Sequence, residues 1–163
     1  MRQLWAPWRV DFIKGPRASG CFFCEAAAAA AERDAELHVL ARTPSSLALM
    51  NLYPYNNGHL LVAPRSHLAS LDQLDRGAAA DLMSLTQRAL RALRAALHPD
   101  GFNLGINQGK VAGAGVADHV HQHIVPRWDG DTNFMPVVGD VKVMNEHLDA
   151  SYRQIREAFE KNT

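Results

Sequence analysis

The stretch His119-Val120-His121-Gln122-His123-Ile124-Val125-Pro126 alternates histidine with mostly apolar residues for seven positions, and the chain is read outward from it. A period of two marks a β-strand, on which i, i+2 and i+4 share one face. His119, His121 and His123 then line one side, with Val120, Gln122 and Ile124 on the other. Each step spans roughly 6.8 Å, which sets the outer pair about 13 Å apart. Zinc–nitrogen bonds of about 2 Å cannot serve all three imidazoles from one ion. A row of this length suits an extended anion such as a polyphosphate. Neutral imidazole is a good nucleophile toward phosphorus and a good leaving group, and its neighbours can exchange protons near neutral pH.

Other segments supply the rest of a fold. Leu37–Arg42 and Leu47–Leu52 flank the turn-forming Thr43-Pro44-Ser45-Ser46 and predict a hairpin. His59–Ala63, closed by Pro64, predicts a third strand, Phe102–Asn107 a fourth and His119–Val125, stopped by Pro126, a fifth. Leu71, Leu74, Leu82, Leu85, Leu90, Leu93 and Leu97 recur near helical spacing, which predicts a long helix over 71–97. A second helix is expected from Met144 to Glu160, and a short helix or turn over 25–33. Strands early and helices on one face give an α+β class, a five-stranded antiparallel sheet with one long helix and a C-terminal helix.

Composition narrows the function. The chain has 163 residues and 47% hydrophobic content, enough for one domain with its own core. Residues 1–34 read as an N-terminal arm, whose apolar Leu4, Trp5, Trp8, Phe12 and Ile13 need a surface to pack on. Residues 35–127 read as the core and 128–163 as an extension. Lys plus Arg and Asp plus Glu both number 17, so the chain lacks the basic excess of a nucleic-acid binder. The first residues contain no apolar leader and no segment reaches membrane-spanning length, so the expected setting is the cytoplasm. Cys21 and Cys24 stand at C-x-x-C spacing, half of a metal site or a redox pair in such a compartment. Histidines are the candidates for the missing ligands, since the chain has no further cysteine. No G-x-x-x-x-G-K-[ST] occurs, which excludes a P-loop mechanism.

His119-Val120-His121-Gln122-His123-Ile124-Val125, together with Asn51 and the Gly58-His59-Leu60-Leu61-Val62-Ala63-Pro64 run, resembles the histidine triad superfamily over about residues 35–127. The flanks Leu4–Arg9, Cys21-Phe22-Phe23-Cys24 and Pro126–Met135 are similar to a bacterial branch of diadenosine-tetraphosphate hydrolases or phosphorylases. The resemblance implies that His121 attacks an α-phosphorus and carries a nucleotidyl group. It makes His123 the hydrogen-bond donor to phosphoryl or leaving-group oxygen, and His59 the fourth histidine. Asn51 stands at the ribose-binding position and Asn107 near the phosphates. Gly113, Ala114, Gly115 and Val116 precede the triad as a loop whose backbone can approach phosphate. Gly115-Val116 replace the Gln-Ser or Gln-Thr of better-known branches, removing a hydroxyl donor and leaving room for inorganic phosphate as acceptor. The resemblance also implies a structural zinc on Cys21, Cys24, His67 and His119, a nucleotide substrate that can bring Mg2+, no organic cofactor, and a homodimer. Three alternatives stay open: a nucleoside phosphoramidase, a zinc-dependent hydrolase on His59, His119 and His121, and a nucleotide sensor without turnover.

Overall fold

The structure, a computed structural model, describes residues 20–132, 144 and 146–161; most of the predicted arm and the segment after Thr132 lie outside it. Five strands, β1 (Val39–Arg42), β2 (Ser46–Met50), β3 (Leu60–Pro64), β4 (Gly101–Ile106) and β5 (Gln122–Arg127), form one antiparallel sheet in the order β1-β2-β3-β5-β4. The hairpin β1–β2 closes where Thr43 N–H donates to Ser46 O at 2.9 Å. β5 lies between β3 and the edge strand β4, pairing Leu61 with His123 on one flank and Gly105 with His123 on the other.

Helix α1 (Phe22–Ala28) precedes the sheet, α2 (Arg76–Leu97) links β3 to β4, and α3 (Leu148–Lys161) follows β5. α2 and α3 cover one face, burying Leu85, Leu93, Ile155 and Phe159 against Leu40, Met50, Leu60, Val62 and Ile124. The opposite face holds a smaller cluster in which Phe23 of α1 packs with Val39, Leu47, Leu49, Leu61 and Ala63. The leucine spacing thus does build the long helix, and the α+β expectation is met. No helix among the described residues is long and apolar enough to cross a membrane.

Several boundaries differ from expectation, for local reasons. The long helix begins at Arg76, not residue 71, because Asp75 accepts the Ala78 N–H at 2.8 Å and caps it there. Leu71–Gln73 is a separate 3-10 turn, with Gln73 Oε1 receiving Ser70 N–H. The predicted 25–33 segment divides into α1, which starts earlier, and a 3-10 turn at Ala31–Arg33. The C-terminal helix starts at Leu148, its first turn donating to His147 O from Ala150 N–H. Pro126 lies inside β5 and does not stop it. It pairs with Phe102 of β4, past the point where β3 pairing ends, so its missing N–H falls where no strand needs it.

Candidate active site

The regular strand starts at Gln122, three residues later than expected. Before it, Val120 N–H donates to Leu68 O at 2.6 Å, so the first histidines are held by the loop after β3 instead of a ladder. The alternation of faces survives this change. Gln122 Oε1 receives the Thr86 hydroxyl of α2 at 2.8 Å, on the helical side, and Ile124 joins the core there. On the other side the imidazole centroids of His121 and His123 are 5.0 Å apart, and those of His59 and His123 5.1 Å. The rings therefore lie closer together than the backbone steps suggest.

The hydrogen bonds define which nitrogen carries each proton. His121 Nδ1 lies 2.8 Å from His119 O, and a carbonyl can only accept, so Nδ1–H donates. A neutral His121 then carries its lone pair on Nε2. The Tyr55 N–H donates to His59 Nδ1 at 3.0 Å, which puts the His59 proton on Nε2. That Nε2–H donates to His123 Nδ1 at 3.0 Å, leaving the proton of neutral His123 on its own Nε2. Among the described residues, His123 Nε2 is buried without a hydrogen-bond partner. A relay from the Tyr55 backbone through His59 thus ends in one aimed donor beside one free lone pair.

Burial keeps these rings neutral. It pushes His59 down to about 3, with His123 and then His121 adding repulsion. His123 is lowered to about 4, by burial first and His121 second. His121 is also lowered by burial, partly opposed by its bond to His119 O.

Asn51 belongs to the same network: its Nδ2 lies 3.2 Å from His59 Nδ1 and its Oδ1 accepts Tyr53 N–H at 2.9 Å. Asn107 stands beside the loop, its Nδ2 4.0 Å from where a Cβ on Gly113 would be. Gly109 and Gly113 have φ of +80° and +86° and bracket a 3-10 turn at Lys110–Ala112, a conformation that favours glycine at both ends. Gly113, Ala114 and Gly115 run along the surface toward the triad. Val116 turns inward onto the Phe23 cluster, its carbonyl accepting His119 N–H at 3.4 Å.

His119 faces away from the row. Its Nε2–H donates to Pro64 O at 2.8 Å, so the Nδ1 lone pair is the free one, 3.3 Å from Cys21 Sγ and 3.6 Å from Cys24 Sγ. His67 Nδ1 approaches Cys24 Sγ at 3.2 Å. α1 places Cys21 and Cys24 three residues apart on one side of its first turn. The four donor atoms lie within 4.8 Å of one another and could hold a metal ion. Tetrahedral zinc on sulfur and nitrogen needs donors about 3.5 Å apart, so the donor set fits that ion. Burial and the neighbouring Cys21 push the Cys24 thiol up, a cost that a cation between the sulfurs removes. The alternative ligand set does not form: His59 turns to His123, and His119 to the thiols.

Three contributors were not singled out from the sequence. Phe23 is fully buried with its ring 4.9 Å from both His119 and His121. Tyr55 stacks 5.7 Å from His123 at 19° and 4.7 Å from His59. Thr86 pins Gln122 from behind. Phe23 sits inside the C-x-x-C spacing, the one signal that could have drawn attention to it.

Comparison with known proteins adds to this geometry. The HIT domain family model matches residues 32–130. The AP-4-A phosphorylase of Mycobacterium tuberculosis is 37% identical over 154 residues, covering 91% of this chain and 79% of the relative. The adenosine 5'-monophosphoramidase hnt1 of Schizosaccharomyces pombe is 34% identical over 107 residues, 66% of this chain and 74% of that one. Among solved structures, a Zn-bound histidine triad family protein from Mycobacterium smegmatis superposes with a TM-score of 0.68 at 30% identity. That match covers 87% of this chain and 94% of the other.

Proposed function

The chain belongs to the HIT domain family, and we propose that within it this protein cleaves a nucleoside polyphosphate such as diadenosine tetraphosphate at the α-phosphorus, through a nucleotidyl-His121 intermediate. One observation carries the reading: His121 donates Nδ1–H to His119 O, which leaves Nε2 as a fixed nucleophile beside the unpartnered Nε2–H of His123. Nε2 of His121 attacks phosphorus, the P–O bond to the leaving polyphosphate breaks, and the departing oxygen leaves as an anion that accepts a hydrogen bond from His123 Nε2–H. His59 holds His123 in the donating tautomer. Water or inorganic phosphate then attacks, the P–N bond breaks and His121 departs as neutral imidazole, while any proton released by the incoming group passes to solvent. Asn51 would take the ribose, while Asn107 and the Gly113, Ala114, Gly115, Val116 loop would face the phosphates. A divalent ion such as Mg2+ belongs in this reading to the substrate, travelling with the polyphosphate.

Phosphate is the preferred acceptor. The sparse Gly113–Val116 loop leaves space for it, and the 37%-identical mycobacterial relative is an AP-4-A phosphorylase. Incubation with diadenosine tetraphosphate and inorganic phosphate should yield ADP plus ATP; AMP plus ATP would make the protein a hydrolase. His121→Ala should abolish turnover and labelled-adduct formation while nucleotide binding persists. Turnover like wild type in that variant would sink the mechanism, and absence of any adduct in the wild type would favour a nucleotide sensor. Phosphoramidate cleavage uses the same first step and is the second reading, supported by the fission-yeast relative.

Cys21, Cys24, His67 and His119 would hold a structural zinc, a reading supported by their gathering and by the Zn-bound structural neighbour. Bound there, zinc would lock the loop after β3, α1 and the start of the triad together. A homodimer would join across β4, the sheet's outer strand, whose Asn103, Leu104 and Gly105 are exposed. A cytoplasmic setting suits the two free thiols.

A further inference from the structure

Phe23 occupies a position that neither half of the site explains. It stands between Cys21 and Cys24 in α1, is 0% exposed, and is the largest side chain filling the second core cluster. Its ring lies 4.9 Å from the imidazole of His119 and 4.9 Å from that of His121, tilted by 34° and 35°. One phenyl face therefore packs on a cluster ligand and on the adjacent nucleophile together. Val116, at the end of the glycine loop, packs on the same cluster.

On its remaining sides His121 has the bond from Nδ1–H to His119 O and the edge of the His123 ring 5.0 Å away. One hydrogen bond leaves the ring free to rock about its own axis; a packed aromatic neighbour removes that freedom. α1 is only seven residues long and is tied to the sheet by Phe23, Ala26 and Ala27 together with the two thiols. Opening the thiol cluster therefore shifts the phenyl ring, and with it the imidazole resting on it.

We infer that Phe23 is a positioning residue through which closure of the Cys21–Cys24–His67–His119 cluster fixes the ring of His121 for attack. This rests on the reading of His121 as nucleophile. The test compares wild type, Phe23→Leu and Met83→Leu, a control on α2 whose side chain is 54% exposed. Three quantities are measured: zinc content after dialysis, kcat and KM for diadenosine tetraphosphate, and the imidazole nitrogen–proton correlations of His121 by NMR, with and without a chelator.

Phe23→Leu should retain zinc like wild type and hold KM within about twofold, while kcat falls about 10- to 100-fold, as expected for a misplaced reacting group. Its His121 spectrum should show both tautomers where the wild type shows one. In wild type, chelation should move the His121 signals; in Phe23→Leu it should add little. Met83→Leu should match wild type throughout. A Phe23→Leu enzyme with zinc, kcat and His121 signals all like wild type overturns the inference. So do wild-type His121 signals that ignore chelation, a measurement that stands even if the variant does not fold. If the wild type forms no adduct on His121, the nucleophile reading fails by itself, while the NMR comparison still decides the coupling.

Discussion

His59 and His123 differ from ordinary histidines because their charge, and not only their shape, is set by the fold. Both are held below the usual imidazole value of 6.5, at about 3 and about 4, by burial first and then by neighbouring imidazoles, His123 and His121 for His59 and His121 for His123. The neutral state is what lets Nδ1 of His123 accept from His59 while its Nε2–H remains a donor. The same shifts fix the sign of the pH dependence. Below 6.5 the unfolded chain takes up protons that the folded rings refuse, so stability present above 6.5 is progressively lost as pH falls toward 4. Urea unfolding at pH 7.5 and pH 5 should give a lower midpoint at pH 5, and His123→Leu should flatten that difference. NMR titration should show neither ring charging above pH 5. These tautomers were not legible in the sequence, since they depend on which atoms arrive opposite each nitrogen. Pro64 O and Tyr55 N–H are backbone groups that any residue could have supplied. The identity of His121 as the central group was legible, because the period-2 spacing and its resemblance carry it.

β5 and the residues leading into it are the element on which the site depends, since one face of this segment carries the histidines and the other is bound to α2. Thr86 and Gln122 are both buried, and their 2.8 Å bond is a polar link within an otherwise apolar layer. Thr86→Val leaves the Gln122 carbonyl without that donor and should cost about 1–3 kcal/mol, read from chemical denaturation. Adding Gln122→Leu should recover most of the loss, as a buried pair replaced on both sides does. If the single and double variants lose equal stability, the bond does not hold the layers. Sequence reading located β1, β2, β3, β4 and α2 to within a few residues, because leucine spacing and turn residues are local signals. It placed the start of β5 at His119 because Val120 pairs with Leu68, a partner that only the folded chain brings near. Asp75 was passed over as a cap for the same helix that the leucines announced, since Leu71 and Leu74 extend the apolar pattern across it.

At the scale of the whole molecule, two assembly steps are open to measurement. Chelation should lower the melting temperature, because a metal bound only by the folded state contributes its binding free energy to folding. Calorimetry with and without chelator, matched to elemental analysis, reads this; an unchanged melting temperature after complete metal removal would argue against a structural role. Sedimentation should give about twice the chain mass of 17.9 kDa, and Leu104→Glu on β4 should give the monomer. Leu104 is 45% exposed in the isolated chain, so the charge is tolerated unless that edge is covered.

The cross-links of the site also set an order in time. Cys21, Cys24 and His67 all precede β5 in the chain, whereas His119 joins Cys21 across 98 positions and His123 joins His59 across 64. Such distant partners meet only after long loops have closed, which makes their pairing slow. A chain emerging from the ribosome can therefore gather three of the four candidate ligands while it still lacks any nucleophile. In refolding, recovery of turnover should coincide with the last kinetic phase, and zinc present from the start should shorten that phase by offering the triad a preassembled anchor.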